Sequence, residues 1–246
     1  MKRTFCILTI LMIASGLAFS QETAGGADPN RIGVDTAQQK LKVVSVSKFE
    51  DAGFWSSDMS SDEGITSTRQ FTGGPLGKKL ERIADERYIG IDPQTADQYV
   101  SGTKGEFFRR GYNSFVILPP RPIPVEGICK IITVWVVGRT FNHTLKVMLE
   151  DYNGNQFELT MGQLNFQGWK KMEVPVPPQN PDGKNGIIQR NMHYGKKMGV
   201  KIVGFKVECD PMDAYGTYYI YMDDLRAITD LFAEDNRDED DMPDNW

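Results

Sequence analysis

From residue 41 onward, apolar and polar residues alternate with a period of two in short runs separated by Gly, Pro and Asn. The runs are "LKVVSVSKF" (41–49), "SFVILP" (114–119), "ICKIITVWVVG" (128–138), "HTLKVMLEDY" (143–152), "QFELTMG" (156–162), "WKKMEVPVP" (169–177), "GVKIVGFKVEC" (199–209) and "TYYIYMDDLRA" (217–227). Successive strand side chains point to opposite faces, so such runs, rich in Val, Ile and aromatics, predict an all-β antiparallel sandwich. Asn153-Gly154 between two alternating runs predicts a two-residue hairpin with positive φ. Two proline-rich stretches, "LPPRPIPVEG" (118–127) and "PVPPQNPDGKNG" after the Trp169 run, lack the donors a central strand needs and read as crossovers between sheets. Residues 50–112 are less regular and read as long loops at one end, with "ERIADERYIGI" as a short helix or edge strand. No long amphipathic helix is predicted.

The ends differ from this body. Lys2 and Arg3 precede the apolar run "FCILTILMIASGLA", which closes on Ala18-Phe19-Ser20. That pattern predicts a signal peptide over 1–20 with cleavage before Gln21, because the run is shorter than the roughly 20 residues needed to span a bilayer. Residues 21–40 are polar and read as a flexible arm, 41–232 as a single β-sandwich domain, and 233–246 as an acidic tail. Loss of Lys2 and Arg3 takes the net charge from −5 to −7. Nucleic acid and anionic lipid are poor partners for such a chain, and no membrane insertion is expected after cleavage. Met242 and Trp246 among the acids of the tail suggest an alternative to a solvated end, namely docking on a basic partner.

Candidate chemistry is sparse. Cys129 and Cys209 remain after export; they read either as a disulfide or as two buried thiols. Strand parity puts Tyr219, Tyr221, Asp223 and Leu225 on one face and Tyr218, Ile220, Met222 and Asp224 on the other. Adjacent Asp223 and Asp224 therefore cannot converge as an acid–base pair unless the strand bulges or ends between them. Here the strand is expected to leave the core, with one carboxylate capping backbone donors. A structural calcium ion between Asp223 or Asp224 and Glu50 or Asp51 is a further expectation; no other cofactor is expected. His143 and His193 lack metal spacing and read as surface or strand-end residues. "TGGPLGKK" (72–79) misses the phosphate-loop positions at Thr72 and Lys79. Asn142 starts a glycosylation sequon. Trp135 reads as core. Tyr219 and Tyr221, with Trp135 and Trp169 on other strands, suit a protein contact, a sugar-stacking platform or a place in the core.

The succession "GWKKMEVPVP", "VGFKVEC" and "GTYYIYMDDLRA" resembles the jelly-roll sandwiches of carbohydrate-binding modules and galactose-binding-like domains. The blocks "RPIPVEGICKIITVWVVGRTFNHTLKVMLEDYNGNQFELTMGQLNFQGWKKMEVPVPPQ" and "MDDLRAITDLFAEDNRDEDDMPDNW" resemble the spirochaete flagellar filament outer-layer (sheath) family, FlaA. That resemblance implies a periplasmic, non-enzymatic coat protein around a flagellin core, with other sheath proteins and lateral self-contacts as partners, tuning filament stiffness and curvature. The runner-up expectation is a glycan-binding protein.

Overall fold

The computed structural model describes residues 41–77, 97–178, 186–189 and 199–230. The signal segment, the arm, "ERIADERYIGI", His193 and the acidic tail lie outside the described residues. All regular structure described is β: β1 (Leu41–Ser47), β2 (Ser56–Met59), β3 (Gly64–Thr72), β4 (Tyr99–Phe107), β5 (Ser114–Leu118), β6 (Ile123–Pro124), β7 (Ile128–Val137), β8 (Thr144–Glu150), β9 (Gln156–Gln163), β10 (Trp169–Pro175), β11 (Lys201–Glu208) and β12 (Gly216–Asp230). One sheet has the order β10-β7-β12-β4-β3, with β1 also on β12. The other has the order β2-β5-β11-β8-β9, with β6 also on β11. Every pairing between these strands is antiparallel.

Eight of these strands, β4, β5 and β7 to β12, alternate between the sheets in the manner of a double Greek key, giving the jelly roll expected. Seven of the eight lie in the alternating runs of the sequence. The eighth, β4, falls in the stretch read as loops, which is corrected here: residues 50–112 supply β2, β3 and β4. β4 ("YVSGTKGEF") escapes a pattern search because Gly102 and Gly105 interrupt it, and glycine is depleted in strands. Both proline-rich stretches do cross between sheets, and the first contributes only the two-residue β6.

The core lies between the sheets. Val134 and Val136 of β7, Leu145, Val147 and Leu149 of β8, Ile202, Phe205 and Val207 of β11, and Tyr218, Ile220 and Met222 of β12 are all essentially inaccessible. Inward and outward positions alternate along each strand, so the period-two pattern is the direct imprint of this layer. Trp135 lies between two core valines and therefore points outward, not into the core as expected. It is half-buried under the backbone of Gly77, where an added Cβ would come within 2.7 Å of the indole ring.

The β8–β9 hairpin forms, but with a three-residue connection. Only Gly154 has positive φ (84°), and the carbonyl of Asp151 accepts from its N–H at 3.1 Å. Asp151 Oδ1 also accepts from the N–H groups of Asn153 and Asn155, both at 2.8 Å. That aspartate shifts the preference from a two-residue turn to a type I turn with a following left-handed residue.

Candidate functional site

β12 does not end at the aspartate pair. Asp223 pairs with Trp135 and Arg226 with Thr133, so Asp224 and Leu225 together face one residue of β7, and Asp224 takes φ of 49°. This is a β-bulge, and it reverses strand parity. Even-numbered Tyr218, Ile220 and Met222 point inward before it; odd-numbered Leu225 and Ala227 point inward after it. The partner on the other side changes at the same place, from β4 (up to Met222–Ser101) to β1 (from Leu225–Ser47). The expected strand end is thus corrected: the strand kinks between two successive neighbours and runs on to Asp230.

At this junction Asp224 Oδ2 accepts from Arg226 Nε at 2.7 Å, with both side chains buried. Nearby, Glu50 Oε1 accepts the backbone N–H groups of Gln98 and Tyr99 at 2.7 and 2.8 Å, tying the β1–β2 connection to the start of β4. Asp51 is exposed. Among the described residues no three His, Cys, Asp or Glu side chains converge as a metal would require.

Of the two readings of the cysteines, the structure has the second. Cys129 and Cys209 are separate, buried thiols. Cys129 sits opposite Thr229, whereas Cys209 follows β11 at the end where β12 begins, so roughly 35 Å of β12 separates them at strand rise. Burial pushes both thiols up to about 12, which makes them inert at neutral pH.

His143 stands at a strand start, as expected, but is fully buried rather than at the surface. Its ring packs against Tyr218, Phe141 and Phe107. Its Nδ1 accepts the Asp210 N–H at 3.1 Å, so the neutral ring carries its proton on Nε2. Burial lowers its pKa to about 4, against the opposing pull of Asp213 and Asp210. The Asn142 side chain donates to Asp213 at 3.0 Å, so the sequon asparagine is engaged within the protein.

What remains is a face. Outward positions at the Gly216 end of the first sheet are Ile65, Ser67, Arg69 and Phe71 on β3, Lys104 and Glu106 on β4, and Thr217, Tyr219 and Tyr221 on β12. Ile65 (53%), Phe71 (44%) and Tyr219 (43%) are exposed, although apolar side chains of this size usually find cover. Gly102 lies between Phe71 and Tyr221 in the sheet, and a Cβ there would be 2.6 Å from one ring and 2.9 Å from the other. Its absence lets the rings meet edge to face at 5.5 Å. Arg139 covers the Tyr221 ring at 5.2 Å.

The local backbone holds Arg139 there at a cost. Arg139 and Thr140 both have φ of 63°, an unfavourable region for a β-branched residue. Gly138 before them approaches the Leu164 carbonyl so closely that a Cβ would lie 2.2 Å away, and its own carbonyl accepts the Tyr218 hydroxyl at 3.1 Å. Tyr218 thus anchors from inside the loop that presents Arg139 outside. A depression of about 360 Å³ lies among Arg139, Phe141, Thr217, Tyr219 and Tyr221. Trp169, also singled out in the sequence, is half-buried on the edge strand β10. Strand parity found Tyr219 and Tyr221; it missed Phe71, Arg69 and Arg139, which reach the face through a strand and a loop that carry no pattern.

The opposite outer surface has another character. Lys146 and Lys206 pair with Glu158 and Glu208 at 2.6–3.4 Å, and Lys201 pairs with Glu150 at 2.6 Å. These six charges are met within the molecule, which makes that sheet a hydrated face.

The described part is therefore a jelly-roll protein that presents a broad, chemically polarised surface. Its sequence matches the model of the flagellar filament outer layer protein family, FlaA, over residues 18–238, and the chain belongs to that family. A flagellar filament outer layer-like protein of Brachyspira hyodysenteriae is 35% identical over 201 residues, covering 82% of this chain and 85% of that one. The flagellar filament outer layer protein of Spirochaeta aurantia is 30% identical over 171 residues, and the match spans about half (51%) of its length. Among solved structures, TmCBM61 in complex with β-1,4-galactotriose matches with a TM-score of 0.39 and 14% identity over 76% of this chain and 99% of that one. A family 11 carbohydrate-binding module from Clostridium thermocellum matches with a TM-score of 0.39 and 14% identity, over 78% and 96% of the respective chains.

Proposed function

We propose that this protein is a non-enzymatic coat subunit of a periplasmic flagellar filament, exported by residues 1–20, and that the Tyr219–Tyr221 face is one of its contact surfaces within the outer layer. Family membership supports the coat role. The observation that carries the contact surface is the exposed Phe71 and Tyr219 with half-buried Tyr221, set among Arg69, Lys104 and Arg139. Aromatic and arginine side chains are enriched at protein interfaces, and many modest contacts repeated along a polymer sum to firm attachment. The flagellin core, other sheath proteins and lateral copies of this chain are the partners such a layer offers. A coat of stiff sandwiches held by such contacts would resist bending of the core and so set filament stiffness and curvature. Glycan stacking on the same tyrosines is less well served, because Phe71 meets Tyr221 at 74° and Arg139 covers the Tyr221 ring, leaving no flat tandem platform.

Co-sedimentation with purified periplasmic filaments tests the reading. The mature protein should pellet with them, and Tyr219→Ala with Tyr221→Ala should weaken pelleting about tenfold while leaving the folded circular-dichroism spectrum unchanged. Absence of the protein from washed filaments would sink the coat role. Retardation in a glycan gel that these two substitutions abolish would favour the sugar reading instead.

A further inference from the structure

The acidic C-terminal segment and the basic, aromatic face are complementary in charge and in side-chain type. Residues 231–246, "LFAEDNRDEDDMPDNW", carry Glu234, Asp235, Asp238, Glu239, Asp240, Asp241 and Asp244 against a single Arg237, with Met242 and Trp246 interspersed. The face holds Arg69, Arg139 and Lys104 around Phe71, Tyr219 and Tyr221, with Glu106 paired to Lys104; among the described residues no acid pairs with Arg69 or Arg139. Such a cationic patch stands out on a chain whose net charge is −5. Acidic groups meeting arginines, with an indole or thioether against exposed rings, satisfy both halves of that surface.

We propose that this face receives residues 231–246 of a neighbouring copy of this chain, so that copies join head to tail. The proposal rests on the reading of the face as a contact surface of the layer and names its partner.

Geometry favours the neighbour over the same copy. β12 ends at Asp230, at the opposite end of the sheet from Gly216. To reach its own Tyr221 the tail would have to reverse and retrace about 30 Å of sheet. That route runs over the Asp230 half, whose outward Trp135 is already roofed by Gly77. Continuing along β12 instead, sixteen residues extend up to about 53 Å. In an end-to-end stack the Tyr219 of the next copy lies about 10 Å inside its Gly216 end, well within that reach. The surfaces are unlike one another, so the contact is heterologous and generates an open row rather than a closed dimer.

Sedimentation velocity on the purified mature chain, without filaments, tests this directly. At about 20 mM salt the weight-average mass should rise with protein concentration, and at about 500 mM it should return to monomer, because exposed charges are screened. Two full-length variants sharpen the test: R69E with R139E on the face, and D238K, E239K, D240K and D241K in the tail. Each alone should associate at least tenfold more weakly, since like charges then meet. An equimolar mixture should regain association, because each tail again faces opposite charge. A mature chain that stays monomeric at low salt, variants that associate as well as the parent, or a mixture that stays monomeric would each overturn the proposal. Filament pelleting of the tyrosine variants is measured separately. If it falls while the purified chain stays monomeric, the face is still a contact surface and only the tail assignment is lost.

Discussion

At the scale of single residues, the most consequential group is one that does no chemistry. His143 is held neutral among three aromatic rings and accepts a hydrogen bond only a neutral ring can accept. Its pKa is about 4 in the folded protein against 6.5 when unfolded, so the unfolded state binds the proton more readily. The stability this group contributes is complete above pH 6.5 and is lost as the pH falls from there through 4. Urea denaturation across that window should show a loss of about 3 kcal/mol that His143→Gln removes, with the remaining carboxylate titrations common to both proteins. His143 could be placed at a strand start from sequence, but not buried. Its neighbours Phe107 and Tyr218 come from strands 36 and 75 positions away, and no local pattern encodes their meeting.

At the scale of elements, the bulge at Asp224 organises the first sheet. It lets one long strand keep apolar groups inward along both halves while exchanging β4 for β1 at its edge. Inserting one alanine after Asp224 would turn Leu225 and Ala227 outward, since a one-residue slip flips every side chain beyond it. The expected result is a chain with no cooperative urea transition. Asp224→Ala keeps the register but removes the Arg226 partner and should cost about 3 kcal/mol in the same measurement. Strand parity was legible in "GTYYIYMDDLRA" up to Met222 and failed beyond it. Two aspartates look the same whether they end a strand or bend it, and the choice depends on which strands arrive on either side. β4 was illegible for a related reason: its Gly102 answers to Phe71 and Tyr221, which are distant in sequence.

At the scale of the whole molecule, the two cysteines show what sequence distance cannot supply. They lie at opposite ends of the sandwich, so the mature protein should have the same electrophoretic mobility with and without reductant. Neither thiol should react with a disulfide reagent at neutral pH until the fold opens; then two react. The same scale separates the two sheets by function. One outer surface neutralises its own charges, whereas the other leaves arginines and rings exposed for a partner.

Period-two alternation, turn residues and proline placement by themselves determined that the chain forms an antiparallel sandwich and located seven of the eight jelly-roll strands. These are local signals, written by the requirement that each strand turn its apolar side chains to one layer. Which aromatic residues share a surface, where β12 bends, which histidine is sealed from water and how far apart the thiols lie were decided only by the tertiary structure. Each of these follows from contacts between strands remote in the chain, and remote contacts leave no periodic trace in the sequence that makes them.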